Sequence, residues 1–171
     1  MITQQRLKEL LNYNPDTGNF TYKTTGYRNR QKIGDVAGSK YNNGYIIIKI
    51  DQKRYAAHRL AFMHMTGSFP INSIDHINRI RDDNTWVNLR EATTSENMQN
   101  QSILSKNNIS GYLGVSYNKS MKRLKRWSSV IQVNDKQKHI GLFYTAKEAS
   151  EAYIKAKQIY HPFFNNVCPV K

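Results

Sequence analysis

The segment that decides the fold of this chain begins at Ile74-Asp75-His76-Ile77-Asn78 and continues through Asp82-Asp83-Asn84, Asn88-Leu89-Arg90 and Thr93-Thr94-Ser95-Glu96-Asn97. A strand sends adjacent side chains such as Asp75 and His76 to opposite faces, so only a bend at its end lets them converge. Thr93 and Glu96 have the spacing of a capping box, which predicts a helix from about Thr94 with Asn97 in its first turn. The pattern therefore predicts a hairpin followed by a helix that points Asn97 back across it.

Asp75, His76 and Asn97 are residue types that suit phosphodiester hydrolysis. That reaction needs a base to activate water, a divalent cation to neutralise developing charge, and groups that hold the reactants in line. A carboxylate and an amide oxygen are hard donors for Mg²⁺, with water and phosphate oxygens completing the coordination. We expect His76 to be the general base, neutral at pH 7 with an ordinary pKa.

The composition favours a nucleic-acid partner. The chain of 171 residues holds 26 Lys and Arg against 12 Asp and Glu, a formal net charge of +14. Such an excess suits a polyanion. A merely soluble basic protein and a membrane-surface binder are the alternatives, and the second is disfavoured because no basic amphipathic helix with a long apolar face is evident.

Other sequence features exclude several classes of protein. The sequence contains no run of about 18 apolar residues, so it predicts no transmembrane helix. The N-terminus has no apolar signal core. The single cysteine, Cys168, permits neither an internal disulfide nor a Cys-rich zinc site. We therefore expect a soluble, cytoplasmic protein.

Charge divides the chain into two parts. Residues 1–104 hold 14 basic and 9 acidic side chains, whereas residues 105–171 hold 12 and 3. We expect one domain over residues 1–104, a polar linker at 105–110 and a second domain over 111–171. The first domain should contain a helix capped by Thr3, a short strand at 20–22, a hairpin of residues 45–50 and 54–57, and a helix from Ala57 to about Met65, ended by Gly67 and Pro70.

The second part predicts a three-stranded antiparallel sheet packed on one helix. Strands are expected at 114–117, 127–133 and 138–143, with a tight turn at 134–136, and Thr145 with Glu148 forms a capping box. Basic residues crowd the loop before Trp127. We expect them to clamp DNA phosphates rather than form only a solvated surface: Lys119, Lys122, Arg123, Lys125 and Arg126.

The run from His58-Arg59-Leu60 through Ile74-Asp75-His76-Ile77-Asn78, Asp83-Asn84, Asn88-Leu89-Arg90 and Glu96-Asn97 resembles HNH endonucleases of bacteriophages, including homing endonucleases. The resemblance covers roughly residues 1–104 and implies the ββα-metal fold. It implies Asp75 as the metal-binding acid, His76 as the general base, Asn88 as the residue that shapes the loop and helps hold the histidine, and Asn97 as the second metal ligand.

The chain departs from the family name at its last position, where Asn97 makes the motif His-Asn-Asn. An amide oxygen still suits a hard cation, so we expect Mg²⁺, with Mn²⁺ as an alternative, and Zn²⁺ becomes less favoured. No structural zinc is expected because Cys pairs are absent from the sequence. We expect four surrounding arginines to contact phosphates, with a solvated or ion-paired surface as the alternative: Arg59, Arg79, Arg81 and Arg90.

The pattern Ser110-Gly111-Tyr112-Leu113-Gly114-Val115, Trp127, Ile131, Ile140-Gly141-Leu142-Phe143, Thr145, Glu148-Ala149 and Ala152-Tyr153 resembles the DNA-binding domain of the plant Apetala/ethylene-response-factor class. The resemblance covers about residues 108–165 and implies a sheet that reads bases, through Gln132, Lys138 and His139. Leu113, Ser116 and Gln132 stand where that family commonly has Arg, so the fold carries over but the base preference does not. Ser129 and Ile131 should face the helix, and Ser128, Val130 and Gln132 the DNA.

These features together predict a metal-dependent endonuclease of double-stranded DNA, of the homing type or free-standing. One active site cuts one strand, so we expect a monomer that nicks, and a dimer or a second binding event would be needed for a double-strand break. A DNA-binding regulator with a spent nuclease motif is the alternative, and the intact Asp75, His76, Asn88 and Asn97 argue against it. An RNA binder is disfavoured because the sheet lacks paired aromatic residues. If the gene is phage-encoded, the protein acts in the host cytoplasm.

Overall fold

A computed structural model describes residues 2–25, 31–100, 104–119, 124–134 and 136–163. The chain forms two compact units, Met1–Asn97 and Met98–Lys171. Lys122, Arg123 and Cys168 lie outside the described residues. In the part of the chain that the structure describes, no helix is long and apolar enough to span a membrane.

The first unit combines three short helices with small antiparallel sheets. Strands β1 and β2 pair with each other, β3, β4 and β5 form a three-stranded sheet, and β6 pairs with β7. In chain order the elements are α1 (Gln4–Leu10), β1 (Leu11–Tyr13), β2 (Phe20–Tyr22), β3 (Ser39–Lys40), β4 (Ile46–Ile50), β5 (Lys53–Ala56), α2 (Ala57–Thr66), β6 (Ser73–His76), a 3₁₀ turn (Trp86–Asn88), β7 (Leu89–Ala92) and α3 (Thr94–Gln99).

Local sequence signals set these bounds. The hydroxyl of Thr3 accepts a hydrogen bond from the Arg6 amide at 3.2 Å and caps α1 as predicted. Helix α2 starts at Ala57 and ends at Thr66, and the capping residue Gly67 that follows has a left-handed φ of 93°. The predicted strand at 20–22 and hairpin at 45–57 are likewise confirmed, with Ile47 opposite Ala56.

The core of the first unit positions the β6–β7 ribbon. Leu7, Phe20, Ile48 and Leu60 are fully or almost fully buried at its centre, and Ile74 of β6 and Leu89 of β7 belong to the same cluster. In the ribbon, Asp75 lies opposite Arg90 and His76 opposite Leu89. Because directly opposite residues share a face, His76 lies on the core side with Leu89, and Asp75 and Arg90 lie on the other side. The order β6, β7, α3 is the expected strand–strand–helix arrangement.

The second unit is a three-stranded antiparallel sheet with one helix, as predicted. Its elements are β8 (Val115–Tyr117), β9 (Trp127–Val133), β10 (Lys136–Phe143) and α4 (Ala146–Tyr160), and the strand order is β10-β9-β8. Helix α4 packs on all three strands. Ser129 and Ile131 of β9 are buried with Ala149 and Ala156 of α4, so the predicted helix-facing positions are confirmed.

Two details of the second unit differ from the sequence prediction. Strand β10 begins at Lys136, which pairs with Val133, so only residues 134–135 separate the strands and the predicted turn at 134–136 is too long. The hydroxyl of Thr145 accepts from the Glu148 amide at 3.1 Å, as expected of a cap. The Glu148 carboxylate, however, accepts from the amide of Tyr144 at 3.3 Å instead of closing the box on Thr145.

Candidate active site

His76 is the last residue of β6 and is buried, with 4% of its surface exposed. Its Nε2 lies 3.2 Å from Oδ1 of Asn84. Burial lowers the pKa of His76 below its ordinary value, and the hydrogen bond to Asn84 and the charge of Asp75 only partly oppose this shift. The expectation of an ordinary pKa is therefore wrong, and the folded chain holds this imidazole neutral at pH 7.

The partners of Asn84 indicate which His76 nitrogen carries the proton. The amide nitrogen of Asn84 donates to the carbonyl oxygen of Asp82 at 3.3 Å, which turns its Oδ1 toward His76. An acceptor at that position requires the tautomer with the proton on Nε2, so Nδ1 is the basic nitrogen. Tyr13 donates to the Asn84 carbonyl oxygen at 2.7 Å and ties this residue to the first hairpin. Asp82-Asp83-Asn84 is thus more than the simple turn that the sequence indicated.

An aromatic cluster packs against His76. The His58 ring on α2 lies 5.2 Å from the His76 ring, centroid to centroid, at an interplanar angle of 77°. The Tyr45 ring lies 5.0 Å from His58 and 5.8 Å from His76. The Arg81 guanidinium lies over Tyr45 at 5.3 Å and donates to the Asn43 carbonyl oxygen at 2.8 Å. The sequence alone indicates no role for His58 or Tyr45, although His58 belongs to the motif that resembles HNH endonucleases.

Burial also determines the charge of His58. Desolvation, assisted by the nearby His76 and Arg59, lowers the pKa of His58 to about 3. Its Nδ1 is buried and finds no hydrogen-bond partner among the described residues. Two neutral imidazoles therefore lie in contact in this cluster, because a charge on either would be poorly solvated.

Asn88 cross-links the loop that follows His76. Its Oδ1 accepts from the Asn78 amide at 2.9 Å, and its Nδ2 donates to the Asp83 carbonyl oxygen at 2.7 Å. The Asp83 carboxylate in turn accepts from the amide and the hydroxyl of Thr85 at 3.2 and 2.8 Å. Asn88 thus lies where a loop-shaping residue was predicted, and the hydrogen bond to the imidazole comes from Asn84 instead.

Asp75 forms a buried ion pair with Arg90. The Nε and Nη2 atoms of Arg90 lie 2.9 and 2.7 Å from Oδ2 of Asp75. The Asp75 side chain is 7% exposed and the Arg90 side chain 23%. Arg90 was expected to contact DNA phosphate, and here its guanidinium neutralises the predicted metal-binding carboxylate.

Asn97 lies in the first turn of α3, as predicted, and its amide donates to the Thr93 carbonyl oxygen at 2.9 Å. The capping box beneath it is complete: the Thr93 amide and hydroxyl each lie 2.7 Å from the Glu96 carboxylate, and the Glu96 amide donates to Oγ1 of Thr93 at 3.3 Å. The two hydrogen bonds that Thr93 donates to the carboxylate, with a smaller contribution from Arg90, lower the pKa of Glu96. They fix the helix start that presents Asn97.

The donor set fits a hard divalent cation in chemistry. Asp75 offers a carboxylate and Asn97 an amide oxygen, which together suit Mg²⁺ or Mn²⁺ better than Zn²⁺. Within the described ranges, no group of three His, Cys, Asp or Glu side chains could hold a metal ion.

Arg59 and Arg79 have different surroundings from Arg90. Arg59 donates to the Pro70 carbonyl oxygen at 3.3 Å and lies 5.8 Å from the Phe69 ring centroid. It also lines an open cleft of about 550 Å³ whose other walls are residues 71–73 and 93–95, at the outer ends of β6 and β7. Arg79 has a left-handed φ of 65°, and its amide donates to the His76 carbonyl oxygen at 2.9 Å.

The predicted DNA-contacting residues of the second unit lie on different faces of its sheet. Gln132 and His139 are exposed, and His139 lies opposite Val130 on the face away from α4. Lys138 lies opposite the buried Ile131, and its Nζ contacts the Tyr160 hydroxyl at 2.5 Å. Lys138 therefore lies on the helix side, apart from Gln132 and His139, because strand alternation reverses its direction.

The described basic residues of the loop before β9 are exposed, and two of them contact tyrosine side chains. Arg126 donates to the Tyr117 hydroxyl at 3.2 Å, and Lys125 lies 5.0 Å from the Tyr144 ring centroid. Lys119 is also exposed. These cations remain accessible to a polyanion, because such contacts shield only one side of each charged group.

The family model described as HNH endonuclease matches residues 55–99. No curated protein matches the chain, and no solved structure matches it. The matched stretch runs from β5 through α2, the β6–β7 ribbon and α3, and it contains Asp75, His76, Asn88 and Asn97. Residues 100–171 lie beyond the match, so the plant-type resemblance of the second unit stays a prediction. Residues 55–99 are thus similar to an HNH endonuclease domain, and this similarity suggests a nuclease.

Proposed function

We propose that this chain is a metal-dependent DNA endonuclease in which His76 is the general base and Asp75 and Asn97 hold one divalent cation. The observation that carries the proposal is the buried, neutral His76, whose Nε2 is oriented by Asn84 within the stretch that matches the HNH family model. A neutral imidazole with a fixed tautomer is what proton abstraction from water requires.

His76 would accept the proton of the attacking water at Nδ1. Asn84 keeps the proton on Nε2, and the rings of His58 and Tyr45 limit rotation of the imidazole. Holding the base in one orientation preserves the alignment with the scissile phosphate on which the rate depends. Asn88 supports this arrangement indirectly, because it fixes the loop that carries Asn84.

Asp75 and Asn97 would hold the cation, most favourably Mg²⁺. When bound, such a cation neutralises charge on the phosphate and on the leaving oxygen. Asp75 is the anionic ligand, and the capped first turn of α3 directs Asn97. Arg59, Arg79 and Arg81 would contact neighbouring phosphates, and the cleft beside Arg59 offers an open approach for the DNA backbone.

The second unit would hold the DNA. Its exposed face carries Gln132 and His139, and its basic loop carries Lys119, Lys125 and Arg126. We propose an ethylene-response-factor-like domain that docks this face on double-stranded DNA while the loop contacts phosphates. With one active site per chain, a monomer would nick, and a dimer or a second binding event would complete a double-strand break.

Plasmid cleavage tests the proposed activity. Wild-type protein with Mg²⁺ or Mn²⁺ should convert supercoiled plasmid to the nicked form, and a chelator should stop it. His76→Ala should lose at least about 100-fold in rate, the usual contribution of a general base. His64→Gln is the matched control, because His64 is a half-buried histidine of α2 that packs on Tyr13 and Phe20 instead.

Two results would contradict the nuclease assignment. If wild-type protein binds DNA but leaves plasmid intact with both metals, the chain is the spent DNA-binding regulator that the sequence left as the alternative. If His76→Ala nicks as fast as the wild type, His76 is not the base. The nicking then comes from another site of the chain or from a contaminating nuclease.

Salt dependence tests the proposed role of the basic loop. Removing one phosphate-binding cation should reduce the slope of log affinity against log salt by about 0.9. The triple variant Lys119→Gln, Lys125→Gln, Arg126→Gln should therefore bind less salt-dependently. The double variant Lys147→Gln, Lys155→Gln on exposed positions of α4 is the control. Equal slopes for wild type and triple variant would remove the loop from the DNA interface.

A further inference from the structure

The Asp75–Arg90 ion pair occupies the carboxylate that the proposed cation would need as a ligand. Both donor nitrogens of Arg90 converge on a single carboxylate oxygen, at 2.9 and 2.7 Å. The Asp75 side chain is 7% exposed, and the Arg90 side chain is 23% exposed. A buried carboxylate needs a counter-charge, since its desolvation is otherwise uncompensated. In this structure the counter-charge is the guanidinium.

A divalent cation on Asp75 would stand beside that guanidinium. The two positive charges would then share one carboxylate inside a partly buried site, where repulsion is screened less than in water. Either the cation binds weakly or the guanidinium must move to another anion. Arg90 is the partner more able to move toward another anion, because its side chain is more exposed than that of Asp75.

DNA provides the anion that suits Arg90. A guanidinium matches the paired oxygens of a phosphate with two parallel hydrogen bonds. Such a phosphate is also the group that completes coordination of a cation held by one carboxylate and one amide. The phosphate would thus stabilise the metal ion and the Arg90 guanidinium together. The site would then hold two anions, Asp75 and the phosphate, for its two cations.

We propose that Arg90 is the counter-ion of Asp75 in the absence of metal, and that DNA phosphate draws it away so that DNA binding strengthens metal binding at Asp75. This inference rests on the proposed nuclease function and adds an order of events to it. Arg90 is here a positioning residue, because it acts through the metal ligand. A consequence is that the free protein holds little divalent metal and gains its catalytic ion on the substrate.

Mn²⁺ binding measured by electron paramagnetic resonance tests the inference. All proteins carry His76→Ala, which keeps the DNA uncut, and the DNA is a duplex with the strongest plasmid cleavage site or, if the plasmid stays intact, with the plasmid segment that the wild type binds most tightly. With Arg90 present, the duplex should raise Mn²⁺ affinity by about 10-fold or more, within the usual range of coupling between sites. Arg90→Gln should bind Mn²⁺ about 10-fold more tightly without DNA, and DNA should then add little.

Three controls make the measurement specific. Asp75→Asn should abolish the protein-dependent Mn²⁺ signal with and without DNA, and the duplex alone gives the background. Arg90→Lys keeps a positive charge opposite Asp75 and should retain weak binding in the free protein. Circular dichroism checks that each variant is folded, because removing the partner of a buried carboxylate is destabilising.

The reciprocal measurement keeps the inference testable if Arg90→Gln does not fold. Linkage requires Mn²⁺ to raise the DNA affinity of the Arg90-containing protein by the same factor by which DNA raises its Mn²⁺ affinity. Equal Mn²⁺ affinity with and without duplex overturns the inference, even if plasmid is cleaved. Equal Mn²⁺ affinity of Arg90→Gln and its parent without DNA also overturns it. Absence of Mn²⁺ binding in every state, together with intact plasmid, overturns both this inference and the nuclease assignment.

Discussion

Replacement of His58 by Phe should remove much of the acid sensitivity of the first unit. His58 is partly buried in the folded chain beside His76 and Arg59, with the Tyr45 ring at 5.0 Å and the Arg81 guanidinium 5.3 Å from the centroid of that ring. Its pKa is about 3 in the folded chain against an ordinary value of 6.5. Between these values the unfolded chain binds a proton that the folded chain does not, so acidification favours unfolding.

The size of the effect follows from the two pKa values. Going from pH 7 to pH 5 protonates the unfolded imidazole almost completely and the folded one hardly at all, which costs about 2 kcal/mol of unfolding free energy. The loss continues as pH falls toward the folded value. His64 and His76 also have lowered pKa values and add to the wild-type response, so the informative quantity is the difference between wild type and variant.

Urea unfolding at pH 7 and pH 5 measures this difference. Trp127→Phe is introduced throughout, so that Trp86 fluorescence reports the first unit alone. His58→Phe preserves a ring of similar shape and omits the partnerless Nδ1, so its stability at pH 7 should be close to that of the parent. His58→Gln is a second variant that does not titrate. If both variants still lose as much stability as the parent between pH 7 and pH 5, the burial argument for His58 is refuted.

Other substitutions test the packing around the site and in the second unit. Gly18→Ala places a methyl 2.8 Å from the Asn84 carbonyl oxygen at a left-handed φ of 71°, whereas Gly34→Ala has a φ of 89° and open space. Urea unfolding should find Gly18→Ala about 2 kcal/mol worse than Gly34→Ala. Asn88→Ala should lose about 3 kcal/mol and most of the nicking rate, because it deletes two loop hydrogen bonds; an unchanged rate would exclude the loop from catalysis. Ser129→Ala should leave thermal stability equal or raise it by up to about 1 kcal/mol, because its buried Oγ finds no partner among the described residues; a clear loss would indicate a partner.

Secondary structure was predictable where short-range signals act. Gly67 ends α2 and Thr145 starts α4, because caps and left-handed glycines depend on a few neighbouring residues. The start of β10 was misjudged by two residues, since hydrophobic alternation fades at Lys136 and only cross-strand pairing with Val133 extends the strand. The face of the sheet on which the Lys138 side chain lies was likewise not predictable. It depends on the register between β10 and β9, which composition does not specify.

The positions of the candidate site residues in the fold were predictable, and their contacts were less so. His76 and Asn97 lie on the strand end and the helix turn that the spacing indicated. His58 was missed because it precedes His76 by a helix and a loop, and its contact arises only from tertiary packing. Asn84 was missed because Asp and Asn side chains in a row are typical of turns. The pairing of Arg90 with Asp75 required the β6–β7 register.

The segment between β6 and β7 differs from an ordinary loop because side-chain oxygens accept hydrogen bonds from its backbone amides. The amides of Asn78, Ile80 and Thr85 donate to side-chain oxygens of Asn88, Asn78 and Asp83. These amides should exchange with deuterated solvent slowly, at rates nearer to those of strands than of irregular segments. The chain has thus lost the conformational entropy of this segment during folding. Arrival of a substrate therefore requires little further ordering around His76, and the segment acts as a rigid part of the ribbon.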